Sequence, residues 1–265
     1  MVRSAISCAL LFITGCVFGQ TGKSKVALGA AQHSAAIDAV REYALRYTKS
    51  LPNYTCTLTT RETARLPGNN ISIRTTVIDE QLSFVDTREV RRITRIDGHA
   101  VSAREAGKQP AAMSEGEFGN LLDIIFEPAT GADLRWDRAA TLNRRTVDVL
   151  AYRVPQSKGY VLAGSSRSAQ VPFEGFVYAD AQTHAVLRIQ MKCVMIPYDS
   201  EYQAVDLTLD YKAARVADRE FILPSHFALN YRTPDHEQAN AADYTNYRRF
   251  SADATIQFEG DQPQP

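Results

Sequence analysis

Ala185, Leu187, Ile189, Met191, Cys193 and Met195 fall on one side of an extended backbone, and Val186, Arg188, Gln190, Lys192 and Val194 fall on the other. Side chains alternate faces along a strand, so 185–195 reads as one long strand with an apolar and a mostly wet face. Residues 53–61 repeat the pattern, with Tyr54, Cys56 and Leu58 opposite the β-branched Thr55, Thr57 and Thr59. Further strands are predicted at 71–77, 81–86, 89–96, 134–136, 144–154, 159–163 and 173–178. Asp97-Gly98 supplies a tight turn into a short return at 99–102. Beyond Pro197, alternating apolar sets recur at Val205/Leu207/Leu209/Tyr211, Phe221/Leu223, Phe227/Leu229/Tyr231 and Ala252/Ala254/Ile256/Phe258. The sum is a large antiparallel sheet.

Two stretches change period. Ile37, Val40, Ala44, Tyr47 and Leu51 recur at steps of three and four, which predicts a helix over 34–51, capped by Ser34 and ended by Pro52. Phe118, Leu121, Leu122 and Ile125 define a second helix over 114–126, opened by a Ser114/Glu117 capping box and stopped by Pro128. Gly119 inside it costs about 1 kcal/mol of helix propensity, so its presence points to a close approach, the sheet being the natural neighbour.

Composition then sets location. The chain has 265 residues, 45% of them hydrophobic, enough for a substantial core. Thirty basic and thirty acidic side chains cancel, so no field favours nucleic acid. At the N-terminus, Arg3 precedes an apolar run at 5–14, too short to span a bilayer and suited to an export signal. Ile13-Thr14-Gly15-Cys16 has the form of a lipobox with Cys16 as the lipidated residue, while Val17-Phe18-Gly19 has the form of an ordinary cleavage site. Either one places the mature chain outside the cytoplasm, in the periplasm or extracellular, with an anchor at Cys16 in the first case and no transmembrane span afterwards. The chain thus divides into a signal (1–19), a linker (20–33), one domain (34–258) and a disordered tail (259–265). Export also gives Cys56 and Cys193 two readings, a buried disulfide or two separate buried thiols, with the bridge expected.

The order helix, four strands, helix, long run of strands resembles the half-barrel fold of bacterial lipoprotein carriers of the LolA/LolB type. In addition, LPNYTCTLTTRE (51–62), GEFGNLLDIIFEP (116–128), FVYADAQTHAVLRI (176–189) and NYRRFSADATIQF (246–258) are similar to a family of exported acidobacterial proteins of uncharacterised function. The first resemblance implies a mainly β (α+β) fold, a single strongly curved antiparallel sheet or half β-barrel covered by two α-helices, around an apolar cavity. It transfers no functional residue, because sites and not folds carry chemistry.

Catalytic signals are missing from the pattern. His33, His99, His184, His226 and His236 lack the spacing of a zinc helix, and Asp235-His236-Glu237 reads as a solvated loop. Gly164-Ser165-Ser166 is no nucleophile elbow. Arg248-Arg249 has two readings, an anion-binding pair or ordinary surface ion pairs, of which the second is expected. Leu187, Ile189, Met191, Trp136 and Phe118 are the candidate cavity wall. The expectation is an exported non-enzymatic protein, without cofactor or metal, that binds an apolar or lipid-like ligand or a lipoprotein. The alternatives are an envelope protein–protein interaction or sensing module, and an enzyme of unrecognised type.

Overall fold

The computed structural model describes residues 21–68, 71–102, 117–163 and 167–250, with side chains from residue 29 in the first helix and 118 in the second. Helix α1 spans Thr21–Ser50 and α2 spans Glu117–Phe126. The strands are β1 (Tyr54–Arg65), β2 (Ser72–Val85), β3 (Arg88–Ile96), β4 (His99–Ala100), β5 (Asp133–Leu142), β6 (Arg145–Val154), β7 (Tyr160–Ala163), β8 (Ser168–Val171), β9 (Phe173–Asp180), β10 (Val186–Cys193), β11 (Ala204–Val216), β12 (Arg219–Arg232) and β13 (Glu237–Arg249).

Eleven of these form one antiparallel sheet in the order β4-β3-β2-β1-β13-β12-β11-β10-β9-β6-β5, while β7 and β8 make a separate hairpin. The sheet is curved and does not close. Its inner face, the one the helices cover, carries Leu58, Leu82, Leu150, Val177, Ile189, Leu207, Leu209 and Phe227, all fully buried in one core with Leu122 and Ile125 of α2. Helix α1 crosses this face. At one end the His33 ring stacks on Trp136 of β5, 3.8 Å between centroids, and near the other Tyr47 meets Tyr211 of β11 edge-on.

The α1–α2 contact explains Gly119. A Cβ there would lie 2.5 Å from the Thr48 methyl. The close approach read from the sequence is therefore to the other helix, and not to the sheet.

Several boundaries differ from those read in the sequence. Residues 21–33, expected as linker, continue α1; Ala27, Ala30 and Ala31 favour helix without marking a face. The predicted strands at 71–77 and 81–86 are one strand. Asp79 and Glu80 do not break it, because alternation turns Asp79 outward, where it accepts a hydrogen bond from Thr59, and Glu80 inward. β8 and β13 were not anticipated. The predicted strand at 252–258, the tail, the signal with Cys16, Ser114 of the capping box and the Gly164-Ser165-Ser166 run lie outside the described residues.

The opening strand ends earlier than expected and does not keep one face. Met195, 73% exposed and at φ 52°, lies beyond β10. A bulge between Val186 and Arg188 puts Val186 on the inner face with Ile189 and Met191. Leu187 turns outward and packs with Val147 and Val149 in a small second cluster. One extra residue reverses alternation, which a period-two pattern does not reveal.

The expected Cys56–Cys193 disulfide is not formed; both are buried free thiols. Cys56 sits on β1 and Cys193 on β10, with β13, β12 and β11 between them. Four strand spacings amount to about 19 Å along the sheet, whereas a bridge needs Cα atoms within about 7 Å. Burial pushes each thiol up to about 12.

This packing has measurable outcomes. With Cys8 and Cys16 replaced by serine, Cys56 and Cys193 should stay unmodified by a thiol reagent under native conditions, and both should react in denaturant with no prior reduction. Reduction before labelling should change neither count. Gly119→Ala should lower the melting temperature, since overpacking typically costs about 1–3 kcal/mol. Adding Thr48→Ala should recover part of the loss, with a coupling of about 1 kcal/mol in the thermal-unfolding cycle.

Candidate ligand chamber

The structure distributes the five expected wall residues over different environments. Ile189 and Met191 lie in the packed inner core, Leu187 is on the outer face, and Trp136 is held at the sheet edge by its stack on His33 and an indole hydrogen bond to Asp148, 2.9 Å. Of the five, Phe118 lines the space beside the helices, while Met191 borders a groove of about 400 Å³ shared with Arg135, Arg153, Glu174, Phe176 and Lys192 of β5, β6, β9 and β10. Over β6 and β9 to β12 the inner face is therefore filled by side chains.

Space remains where α1 and α2 meet the β1–β3 side of the sheet. A chamber of about 270 Å³ is lined by Tyr47, Leu51, Tyr54, Phe84, Phe118 and Gly119, with Lys49, Glu89 and Asp123 among its polar residues. Local geometry builds it. Tyr54 opens β1 directly after Pro52 ends α1, and its ring stacks on Phe84 across the β1–β2 ladder at 5.1 Å. Phe118 makes edge contacts with Tyr211 and Tyr244, and its carbonyl accepts the Tyr211 hydroxyl, 2.8 Å. Gly119 keeps the floor low. Burial raises the Tyr47 and Tyr54 hydroxyls well above their ordinary range, so both stay protonated. The Tyr47 hydroxyl is buried without a hydrogen-bond partner among the described residues, a state that typically costs about 1–3 kcal/mol. Sequence pattern named Tyr47, Tyr54 and Phe118 as apolar-face residues, but nothing in it distinguished chamber from core.

The other histidines do not gather. His236 hydrogen-bonds Thr233 within its turn and its ring meets Tyr231, and His226 pairs with Asp243. Among the described residues no group of three His, Cys, Asp or Glu has the proximity to hold a metal ion. No described helix is long and apolar enough to cross a membrane.

Beyond the chamber the inner face becomes polar. Glu89 and Arg91 of β3 form a buried ion pair, their side chains 11% and 8% exposed. Glu80 stands opposite Leu58, which in turn faces Tyr244 of β13. The Tyr244 hydroxyl and Thr60 Oγ1 are buried without partners among the described residues. Burial raises the Glu80 carboxyl; Arg91 opposes that shift, while Glu89 and Glu62 add to it. An acid raised in the folded state stabilises below its unfolded pKa, and that contribution is lost as pH rises through the folded value. Glu80→Gln should therefore raise the melting temperature at neutral pH, and the gain should shrink as pH falls into the ordinary carboxylate range. A pH series of thermal unfolding curves for the two proteins reads this directly.

No family model matches the chain, and no curated protein matches it. Among solved structures it is similar to a putative outer membrane lipoprotein-sorting protein domain from Vibrio parahaemolyticus, at 10% identity, with 84% of this chain and 94% of that one covered and a TM-score of 0.47. A LolA superfamily protein from Nitrosomonas europaea aligns at 9% identity over 81% and 93% of the two chains, TM-score 0.41. The lipoprotein LppX from Mycobacterium tuberculosis aligns at 11% identity over 81% and 95%, TM-score 0.30.

Proposed function

We propose that the chain is an exported, non-enzymatic binding protein that holds an apolar or lipid-like ligand on the inner side of its curved sheet. The observation that carries this reading is the chamber between α1, α2 and β1–β3: aromatic walls inside, charged groups among its lining. Its volume of about 270 Å³ is near the lower end of the roughly 300–1,000 Å³ typical of ligand pockets. A single acyl chain or a ring-sized apolar group fits this scale better than a whole diacyl lipid. The unpartnered Tyr47 hydroxyl supports the reading, because a polar group of the ligand moving beside it would recover a hydrogen bond. The packed core over β6 and β9 to β12 confines the ligand to this end of the sheet, so the wall at Leu187, Ile189, Met191 and Trp136 has no place in it.

A second reading, docking to another envelope protein, has one observation in its favour. Leu66, Ile71 and Ile73, 40%, 62% and 55% exposed, cluster where β1 turns into β2. Crosslinking from position 73 in cells would show a reproducible protein adduct on that reading.

The leading proposal is tested by native mass spectrometry of protein purified from its own envelope, and by titration with a fluorescent fatty acid such as cis-parinaric acid. A bound single-chain amphiphile is expected, and Asn120→Trp, which places a large side chain at the chamber lining, should weaken fatty-acid uptake at least tenfold with little change in thermal stability. Absence of any bound amphiphile together with no uptake of the probe would end the proposal.

A further inference from the structure

The outer face of the β3-β2-β1-β13 quarter carries a groove with a different chemistry. It encloses about 710 Å³ and is lined by Thr55, Thr57, Gln81, Ser83, Val90, Arg92, Thr94, Asn246, Arg248, Arg249 and Phe250, with Cys56 and Glu80. The ladders place its parts in rows. Arg248 faces Thr55, which faces Ser83, which faces Val90; one row on, Thr245 faces Thr57, which faces Gln81, which faces Arg92. The floor is thus made of short hydroxyl and amide side chains, with guanidinium groups on the two outer strands. Three strand spacings, about 14 Å, separate those strands.

Three features distinguish this groove from ordinary wet sheet surface. The chain carries thirty basic and thirty acidic residues, yet outward Arg92 and Arg248 line the groove, with Arg249 behind them on the inward row of Tyr54, against one carboxylate. That one, Glu80, occupies an inward position of β2 between the inward Ile78 and Leu82. Arg248 and Arg249 make no ion pair among the described residues, although both are exposed. The ordinary surface pairing expected for them is therefore not what the structure has. The side chains of Thr55, Ser83 and Gln81 also lack hydrogen-bond partners among the described residues. The positive φ of Asn246, 57°, accompanies a register shift between Thr55 and Thr57 that brings Arg248 opposite Thr55.

We infer that this outer groove binds a phosphorylated sugar or sugar-like ring, with Arg248 on the phosphate and the Thr55, Ser83 and Gln81 side chains on ring hydroxyls. Arginine presents a rigid fork of donors that matches a phosphate bidentately. Short hydroxyl and amide groups both donate and accept, which suits hydroxyls that also do both. An acyl chain would find only Val90 and Phe250 as apolar partners here. The site lies on the opposite face of the sheet from the aromatic chamber and does not rest on what that chamber binds.

The test is calorimetric titration of the full chain with glucose 6-phosphate, inorganic phosphate and glucose, alongside cosedimentation with phosphatidylcholine vesicles with and without phosphatidylinositol. Binding of glucose 6-phosphate or of phosphatidylinositol vesicles is expected, tighter than that of inorganic phosphate, glucose or phosphatidylcholine alone. The soluble arm identifies a free phosphosugar as the source and the vesicle arm a lipid headgroup; either supports the site. Arg248→Gln should weaken that binding at least tenfold. Thr55→Val with Ser83→Ala should narrow the preference over inorganic phosphate while leaving phosphate itself little changed. Equal affinity for inorganic phosphate, no binding in either arm, or binding that survives Arg248→Gln would overturn the inference.

Discussion

An open antiparallel sheet of this width has one apolar face that no single helix can cover if it stays flat. From β2 to β5 there are eight strand steps, about 38 Å on a flat sheet. The part of α1 from His33 to Ser50 is about 26 Å long, yet its ends reach both Trp136 on β5 and the chamber formed with Tyr54 and Phe84. Curvature and side-chain reach close the difference, and α1 lies across the curve as a chord. α2 fills the space beside it, and Gly119 against Thr48 sets how closely the two helices pack. Most of the inner core depends on that arrangement. The sheet edges are protected by other means: β4 has two residues, and β5 carries Asp133, Arg135, Asp137 and Arg138, which discourage pairing with another chain.

Much of this was legible from periodicity. The inward positions of β1 and β11, those of β10 from Ile189 to Cys193, and the apolar faces of both helices follow from steps of two and of three to four. Failures occur where local pattern and tertiary structure part. β13 reads EQANAADYTNYRR, and its inward Asn240, Ala242 and Tyr244 are small or polar enough to hide the alternation. It is a central strand because β1 and β12 pair with it on both sides, a constraint invisible in the segment itself. Pro224 sits inside β12, where a strand prediction normally stops; the register shift at Asp210/Tyr211 opposite it accommodates the missing donor. The disulfide expectation followed from export context and from both cysteines lying on apolar strand faces, and strand order overruled it.

The two halves of the inner face divide the labour. Toward β6 and β9 to β12 the inward side chains are largely apolar and buried, packed in one core among the described residues. Toward β1–β3 and β13 the same face holds aromatic rings around a space, then a buried ion pair, a raised carboxyl at Glu80 and, at Thr60 and Tyr244, hydroxyls without partners among the described residues. Each of these polar features costs stability in a protein whose total is normally only about 5–15 kcal/mol. The apolar half offsets that cost.

This division also explains why the site was harder to read than the fold. Tyr54, Cys56 and Leu58 look alike in a period-two pattern, but Tyr54 borders a chamber, Cys56 is a buried inert thiol, and Leu58 is core. What separates them is distance from the α1–α2 contact, which depends on how residues some seventy positions apart meet at Thr48 and Gly119. The outer groove depends in the same way on non-local pairing, since Arg248 reaches Thr55 only because the last described strand returns to the first. Sequence period assigns a residue to a face. The ladder order and the helix chord then decide whether that face is core, chamber or groove.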